Sequence, residues 1–237
     1  MDTVTRRAEA QRPGKHIRFD LSKTPLREVN SALHEPDLAG EWVIENPAGA
    51  HNVAVGLDAD VKVSIRGHVG YYAAGMNQRA EITIEGNAGT GVAENMMSGT
   101  VWVKGNSSQS AGATAHGGLL VIDGNAAARC GISMKGVDIV VGGDVGHMSA
   151  FMAQAGRLVI RGDAGDALGD SIYEARIYVR GSVGSLGADC VEKPMRDEHR
   201  AELGVLLADA GLPHDPAEFR RYGSARRLYH FTSGNTY

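Results

Sequence analysis

The chain has 237 residues and a formal net charge of −4 at pH 7. This mixed, mildly acidic charge argues against the strongly basic balance of proteins that bind nucleic acids or anionic membranes. Its 32 glycines against four phenylalanines are unusual for an ordinary globular core and predict many tight turns between short strands.

The first region, residues 1–40, is polar and lacks periodicity. We expect it to be partly disordered, with a short helix near Leu26 to Leu33. It has no apolar run of signal-peptide length, and no part of the sequence reaches the roughly 18 consecutive apolar residues of a membrane span. The two cysteines, Cys130 and Cys190, give neither a disulfide framework nor metal-ligand spacing. We therefore expect a cytoplasmic protein.

The second region, residues 41–190, repeats itself every 19 residues. Each repeat ends in a short string such as VSIRG, ITIEG or VWVKG. We call the final glycines of these strings the ruler glycines: Gly67, Gly86, Gly105, Gly124, Gly143, Gly162 and Gly181. Self-similarity at such a period predicts a solenoid, in which each turn buries its apolar face against its neighbours.

Two apolar residues alternate with polar ones before each ruler glycine, which is the pattern of a strand with one buried face. These inner columns are Val63, Ile82, Val101, Leu120, Ile139, Leu158 and Ile177, and Ile65, Ile84, Val103, Ile122, Val141, Ile160 and Val179. Strands stacked in register would form a parallel sheet with aliphatic ladders inside. The sequence therefore predicts an all-β chain, a single-stranded parallel β-helix of about seven 19-residue turns with a C-terminal helical extension.

A column of small side chains predicts where each coil bends around a narrow core: Ala74, Ala93, Gly112, Gly131, Ala150, Gly169 and Ala188. We expect adaptable apolar side chains to fill the core beside it: Met76, Met96, Met134, Met152 and Ile172.

The residue after each ruler glycine is polar: His68, Asn87, Asn106, Asn125, Asp144, Asp163 and Ser182. Asn and Asp tolerate left-handed backbone and hydrogen-bond their own turn, so this column predicts a turn corner. Stacked asparagines can also hydrogen-bond from one turn to the next. A cation site at Asp144 and Asp163 is the alternative.

The outer face of the predicted sheet carries two further columns. Just before the ruler glycines, Arg66, Glu85, Lys104 and Asp123 alternate in sign, which favours this register. The other column is apolar over five turns and is called the outer stripe: Trp102, Val121, Val140, Val159 and Tyr178. Either the terminal segments or a partner subunit must cover it. Val140→Asp would dissociate a complex in the second case and unfold the isolated chain in the first.

The third region, residues 191–237, predicts a helix with Leu203, Leu206, Leu207 and Ala210 on one face and Gly211 at its end. A second short helix should begin at Asp215 and Pro216. The tail that follows interleaves arginines with aromatic residues: Phe219, Tyr222, Tyr229 and Phe231. Such a stretch could bind nucleic acid, but the overall charge favours docking onto a protein surface. These aromatic residues and the outer stripe are the candidate partner interface.

No catalytic, cofactor-binding or metal-binding residues are predicted. The strings GNAGTG and GGDVGH resemble phosphate loops, but their glycines belong to repeated columns and open no helix. Cys130 falls in a column of packed residues, which indicates a buried thiol. Asp166, Asp170 and Glu174 resemble the acids of β-helix enzymes that cleave polysaccharides, so a solitary hydrolase or lyase stays a remote alternative.

The 19-residue ladder with its RG-x-VG, EGNAG and RGDAG corners resembles the GXGXG domain family, the right-handed parallel β-helix that ends the large chain of glutamate synthase. The resemblance covers about residues 42–231. The tail, GADCVEKPM followed by EFRRYGSARRLYHF, is similar to the stand-alone β-helix chain of N-methylglutamate synthases, also called methylamine–glutamate N-methyltransferases.

The resemblance implies a non-catalytic scaffold that packs between two partner subunits. One would be a class II glutamine amidotransferase-like subunit, and the other a glutamate-synthase-like subunit that binds FMN and an iron–sulfur cluster. This chain begins Met1-Asp2, without the N-terminal cysteine nucleophile of the first partner, and has no cysteine cluster. The implied reaction is glutamate plus methylamine giving N-methylglutamate plus ammonia. The alternatives are an ammonia-transferring, glutamate-synthase-like oxidoreductase and a formylmethanofuran dehydrogenase-type complex.

Overall fold

The computed structural model describes residues 16–35 and 40–226. These residues form one sheet of eleven strands in the order β1-β2-β3-β4-β5-β6-β7-β8-β9-β11-β10. The strands are β1 His16–Asp20, β2 Glu41–Glu45, β3 Lys62–Arg66, β4 Glu81–Ile84, β5 Thr100–Val103, β6 Leu119–Ile122, β7 Lys135–Val141, β8 Ala155–Ile160, β9 Arg176–Val179, β10 Cys190–Lys193 and β11 Arg220–Ser224. The helices are α1 Leu26–Ala32, α2 Asp197–Asp209 and a 3₁₀ helix, Pro216–Glu218.

The parallel strands β1 to β9 stack as a β-solenoid of about seven turns, which confirms the predicted fold. The register is the predicted one, with Val63 opposite Ile82 and Ile65 opposite Ile84. Every residue of both inner columns is at most 2% exposed. On a second face, one residue per turn forms a parallel bridge to the next turn, as between Val69 and Ala88. The core is therefore a narrow stack of aliphatic side chains between these two faces.

The coil bends where three alternate residues of each turn adopt positive φ. In one turn these residues are Tyr72 (φ 58°), Ala74 (φ 55°) and Met76 (φ 55°). Positive φ is uncommon for residues other than glycine, and Ala74 in the predicted small column is fully buried there. A side chain at Gly112 of that column would lie 2.6 Å from Ile139. The small column therefore turns the chain around a narrow core, as predicted.

The prediction for the methionines is only partly right. Met96, Met134 and Ile172 are buried in the core, whereas Met76 is 54% and Met152 41% exposed. Met76 and Met152 belong to the third positive-φ column. Residues of that column lie two positions after the buried Ala74 column, and their side chains point outward. The spacing along the sequence did not reveal this direction.

The corner after each ruler glycine is a continuous hydrogen-bond ladder. The Asn106 backbone N–H donates to Asn87 Oδ1 at 2.8 Å, and the Asn125 N–H donates to Asn106 Oδ1 at the same distance. The ladder extends in the same way from His68 Nδ1 to Ser182. These residues therefore bond the next turn of the solenoid, and none of the Asn or Asp residues among them adopts the left-handed backbone that the corner interpretation invoked.

The ruler glycines are required by close approach. A Cβ on Gly143 would lie 1.9 Å from Asn125 Oδ1, and one on Gly124 would lie 2.4 Å from Asn106 Oδ1. Among the seven, only Gly67 has a positive φ in the left-handed region. The glycine lets the side chain of the preceding turn lie directly over the backbone and reach the N–H that follows.

Both ends of the solenoid are closed by additional elements. The N-terminal strand β1 pairs in parallel with β2, so the sheet begins inside the region predicted to be polar and aperiodic. Helix α1 confirms the predicted helix, and its Val29 and the following Leu33 are buried against the core. At the other end, β11 pairs antiparallel with both β9 and β10. The basic-aromatic stretch is thus partly a strand of this sheet.

No helix within residues 16–35 and 40–226 is long and apolar enough to cross a membrane.

Replacing Gly143 with Ala tests the close approach. The added Cβ must displace Asn125 Oδ1, so we expect loss of about 2 kcal/mol or more in the free energy of unfolding, measured by chemical denaturation. Gly204→Ala is the matched control. Gly204 lies in α2, where a Cβ would meet only Pro216 at 3.5 Å, so this change should leave stability equal or raise it by about 0.5–1 kcal/mol. Equal effects of the two changes would contradict this role of the ruler glycine.

The ladder also predicts a pH dependence. The Ser182 N–H, donating to Asp163, lowers the pKa of that carboxyl below its usual value. A depressed carboxyl pKa stabilises the fold above the unfolded value of about 4, and the contribution is lost as pH falls through the folded value. Asp163→Asn keeps the acceptor but cannot titrate, so its melting temperature should fall less between neutral pH and pH near 3. An equal fall in melting temperature for Asp163→Asn and wild type would contradict this contribution.

Candidate partner-binding surface

The outer stripe is covered by the chain's own C-terminal segment. Val121, Val140, Val159 and Tyr178 are all 0% exposed. They form a second apolar cluster with side chains from α2 and the segment after it: Leu203, Leu206, Leu207, Ala210 and Phe219. Of the two coverings that the sequence left open, the structure shows the internal one. This corrects the assignment of these four residues to a partner interface, because they have no surface left to offer.

The other interface candidates have different positions. Trp102 lies half-buried at the margin of α2, where its indole N–H donates to Asp123 Oδ1 at 2.6 Å and Lys104 Nζ lies 3.3 Å from the ring centre. Phe219 (3% exposed) and Tyr222 (2%) are buried within the chain, Tyr222 in the main core. The assignment of Phe219 and Tyr222 to a partner interface is therefore wrong, as it is for the buried residues of the outer stripe. Tyr229 and Phe231 lie outside the described residues.

The sequence signals for the covering segment are confirmed. Helix α2 buries Leu203, Leu206 and Leu207, and Gly211 after it adopts φ +63°. The second short helix is the 3₁₀ helix, where Asp215 accepts a hydrogen bond from the Ala217 N–H at 2.9 Å. The segment therefore has the local structure that its sequence predicts.

Polar contacts around Glu202 hold α2 in place. Its carboxylate accepts from Arg176 Nη1 at 2.7 Å and from the Tyr178 hydroxyl. Burial, and then the neighbouring Glu202 carboxylate, raise the pKa of Tyr178, so this hydroxyl stays protonated and donates. Arg157 lies on the next strand, and its Nε donates to Asp138 Oδ1 at 2.7 Å. The helix is thus joined to the sheet by both apolar packing and charged hydrogen bonds.

A groove of about 490 Å³ lies between α2 and the beginnings of the neighbouring strands. Its lining includes Asp138, Arg157 and Glu202, whose charges are already satisfied by the contacts described above. Val205, at 62% exposed, and Leu206 form its apolar wall. The polar groups of the groove form an ion-pair network.

The two cysteines and the two aspartates of the alternative cation site take part in packing and in the corner ladder. Burial raises the pKa of Cys130 to about 12 and that of Cys190 to about 11, so both are protonated, packed thiols. Asp144 and Asp163, the alternative cation site, each accept a backbone N–H in the corner ladder. Within the described part of the chain, no three His, Cys, Asp or Glu side chains come together as a possible metal site.

Asp166 and Asp170, two of the acids compared with those of β-helix enzymes, also form hydrogen bonds within the turns. Asp166 Oδ1 accepts from the Ser185 hydroxyl at 2.9 Å, and Asp170 Oδ1 accepts from the Ser171 hydroxyl at 2.8 Å. These contacts give them a structural role within their own and the following turn.

Sequence reasoning missed four exposed large apolar residues in two successive turns of the solenoid, together called here the corner patch: Tyr71, Tyr72, Met76 and Met97. Each of the four side chains is between 46% and 54% exposed. The Tyr71 ring stacks on the His51 ring, with 4.5 Å between ring centres. The Tyr72 ring contacts the Tyr71 ring edge-on, with 6.4 Å between ring centres. Aromatic residues and methionine are enriched in protein interfaces. The adjacent tyrosines were the available signal, but only the coil geometry shows that both point outward.

Val140→Asp should now destabilise the isolated chain, because it places a charge between the sheet and α2. We expect a loss of about 3 kcal/mol or more, seen as a lower melting temperature and as proteolysis within α2. Val43→Asp is the control. Val43 belongs to the same outer column but lies opposite Arg18 and Ser64, away from α2, and should change stability by less than about 1 kcal/mol. A stable Val140→Asp chain with intact α2 would contradict the internal covering.

Comparison with known proteins finds a bacterial protein that is similar to this chain over most of its length. No protein-family model matches the chain, and no solved structure matches it. It is 60% identical over 223 residues to Protein GlxC of Rhizobium meliloti (strain 1021), an alignment that covers 92% of this chain and 97% of that protein. At this identity and coverage, the chain belongs to the same family as Protein GlxC.

Proposed function

We propose that the chain is the non-catalytic scaffold subunit of a glutamate-synthase-type complex, and that this complex is N-methylglutamate synthase. The reaction of the complex would convert glutamate and methylamine into N-methylglutamate and ammonia. The proposal is supported by the resemblance of the 19-residue ladder and of the GADCVEKPM tail described above. The solenoid fold agrees with the β-helix that this resemblance implies.

The observation that supports a scaffold most strongly is that a column of polar side chains forms hydrogen bonds between successive turns. Asn87, Asn106, Asn125, Asp144 and Asp163 all join one turn to the next. Three of these five side chains are amides, which carry no titratable proton, and Oδ1 of each aspartate accepts a backbone N–H of the following turn. Chemistry would then be performed by partner subunits, which the solenoid holds at fixed separation.

The proposed partners are a class II amidotransferase-like subunit and an FMN-binding, glutamate-synthase-like subunit with an iron–sulfur cluster. Iron–sulfur clusters are held by several cysteine thiolates. The chain has only Cys130 and Cys190, and both are buried, protonated thiols. The residues present do not fit such a cluster, so we place it on a partner. The exposed tyrosines and methionines of the corner patch are residue types enriched in protein interfaces, which supports a protein partner.

Co-expression with the products of neighbouring amidotransferase-like and FMN-synthase-like genes tests the proposal. We expect the three chains to co-purify with fixed stoichiometry and to form N-methylglutamate from glutamate and methylamine, measured by mass spectrometry. The control is the same pair of partners without this chain, which should lose the coupled reaction.

Two results would count against the proposal in different ways. A soluble monomer that ignores both partners would overturn the scaffold role. A complex that assembles but transfers ammonia to 2-oxoglutarate, and does not use methylamine, would instead favour the glutamate-synthase-like alternative.

A further inference from the structure

The outer column before the ruler glycines neutralises itself in the first half of the solenoid. Arg66 pairs with Glu45 at 3.1 Å and approaches Glu85 at 3.8 Å. Two turns later, Lys104 Nζ lies 3.5 Å from Asp123 Oδ2. Alternating charges on neighbouring strands stabilise the register. These paired charges leave little for a partner to neutralise.

The second half of this column breaks the alternation. Gly142 stands where a charged residue would continue the alternation, and Arg161 and Arg180 then follow beside adjacent strands. Adjacent strands lie about 4.8 Å apart, so two like charges are neighbours on the surface. In the portion of the chain that the structure describes, Arg161 Nε has no acceptor and the contact recorded for Arg180 is to an imidazole rather than a carboxylate.

Of the two guanidinium groups, Arg180 is exposed to solvent, and only Arg161 Nε lacks an acceptor among the described residues. Arg161 Nε is also buried. Arg180 Nη1 contacts His214 Nε2, the same nitrogen that lies 3.0 Å from Glu218 Oε2. One imidazole nitrogen can either accept from the arginine or donate to the glutamate, but not both. Arg180 and Glu218 therefore compete for one atom.

A third arginine adds to the charge. Arg220 Nη2 donates to the carbonyl of Gly181, the residue that follows Arg180. The acids of the neighbouring corner column, Asp144 and Asp163, direct their Oδ1 atoms to backbone N–H groups of the corner ladder. Arg161, Arg180 and Arg220 are called here the arginine cluster, and the contacts that the described residues make to Arg180 and Arg220 are to an imidazole and a carbonyl rather than to a carboxylate.

We propose that the arginine cluster is a docking site for a carboxylate-bearing segment of a partner subunit, an inference that rests on the proposed scaffold function. The guanidinium fork binds carboxylates through paired hydrogen bonds. An acidic side chain at this position pairs with the exposed Arg180 guanidinium and neutralises the repulsion between the neighbouring strands. The charge complementarity sets the register of the partner on the last turns of the solenoid.

The test compares two double variants of the full-length chain. Arg161→Gln with Arg180→Gln removes the unpaired charges, and Arg66→Gln with Lys104→Gln removes two internally paired charges of the same column. We expect the first to weaken binding to the co-expressed partner subunits by about tenfold or more at low ionic strength and to flatten its salt dependence. The second should stay within about threefold of wild type. Equal weakening by both variants, or none by the first, would overturn the proposal.

A second measurement uses the isolated chain and a synthetic poly-glutamate peptide as the probe. Wild type and the Arg66/Lys104 variant should bind the peptide with a salt-dependent affinity, and the Arg161/Arg180 variant should lose at least about fivefold. This measurement separates the two proposals. Peptide binding at the cluster without any partner binding would overturn the scaffold function alone. The docking site would be overturned if wild type did not bind the peptide. It would also be overturned if free glutamate or phosphate, at a concentration equal to that of the peptide carboxylates, displaced the peptide.

Thermal unfolding of the same variants provides the structural control. Loss of the Arg161 and Arg180 charges should leave the melting temperature equal or higher, because like charges are removed from neighbouring strands. A lower melting temperature would show that these arginines serve the fold and would contradict a docking role.

Discussion

The rest of the structure depends on one contact, in which the backbone N–H that follows a ruler glycine donates to the polar side chain one turn below. The contact requires a polar acceptor of the right length and a glycine with no Cβ beneath it, as Asn125 and Gly143 show. Because both must recur together, the turn length cannot change without breaking the ladder. The constant period of 19 residues is the sequence record of that constraint.

Constant turn length has consequences for the remainder of the chain. The inner columns can stack only if each turn bends at the same place, and the positive-φ residues around Ala74 provide that bend. The outer face of the sheet becomes flat and apolar from Val121 to Tyr178, where α2 lies on it. The terminal strands β1 and β11 then extend the sheet at its two ends. The solenoid thus covers its apolar core and its outer stripe with segments of its own chain.

The sequence predicted the repetitive part well because its physical causes are local. Alternating residues such as Val63 and Ile65 predict the buried strand, and Leu203 with Gly211 predicts the helix and its end. The sequence could not show what covers the outer stripe, because an apolar column can be buried either by α2 or by another chain. The antiparallel pairing of β11 was also missed, because it depends on the free edge that β9 leaves. The outward direction of Tyr72 was missed because side-chain direction at a positive-φ corner follows from the coil and not from spacing.

A preformed solenoid that holds other subunits must have the same core alone and in a complex. Amide hydrogen exchange, measured for the isolated chain and for the assembled complex, tests this most directly. A preformed core should show the N–H groups of Asn106, Asn125 and Asp144 strongly protected in both states, with added protection in the complex confined to outer surfaces. Rapid exchange of these ladder amides in the isolated chain, with protection gained only on assembly, would contradict it.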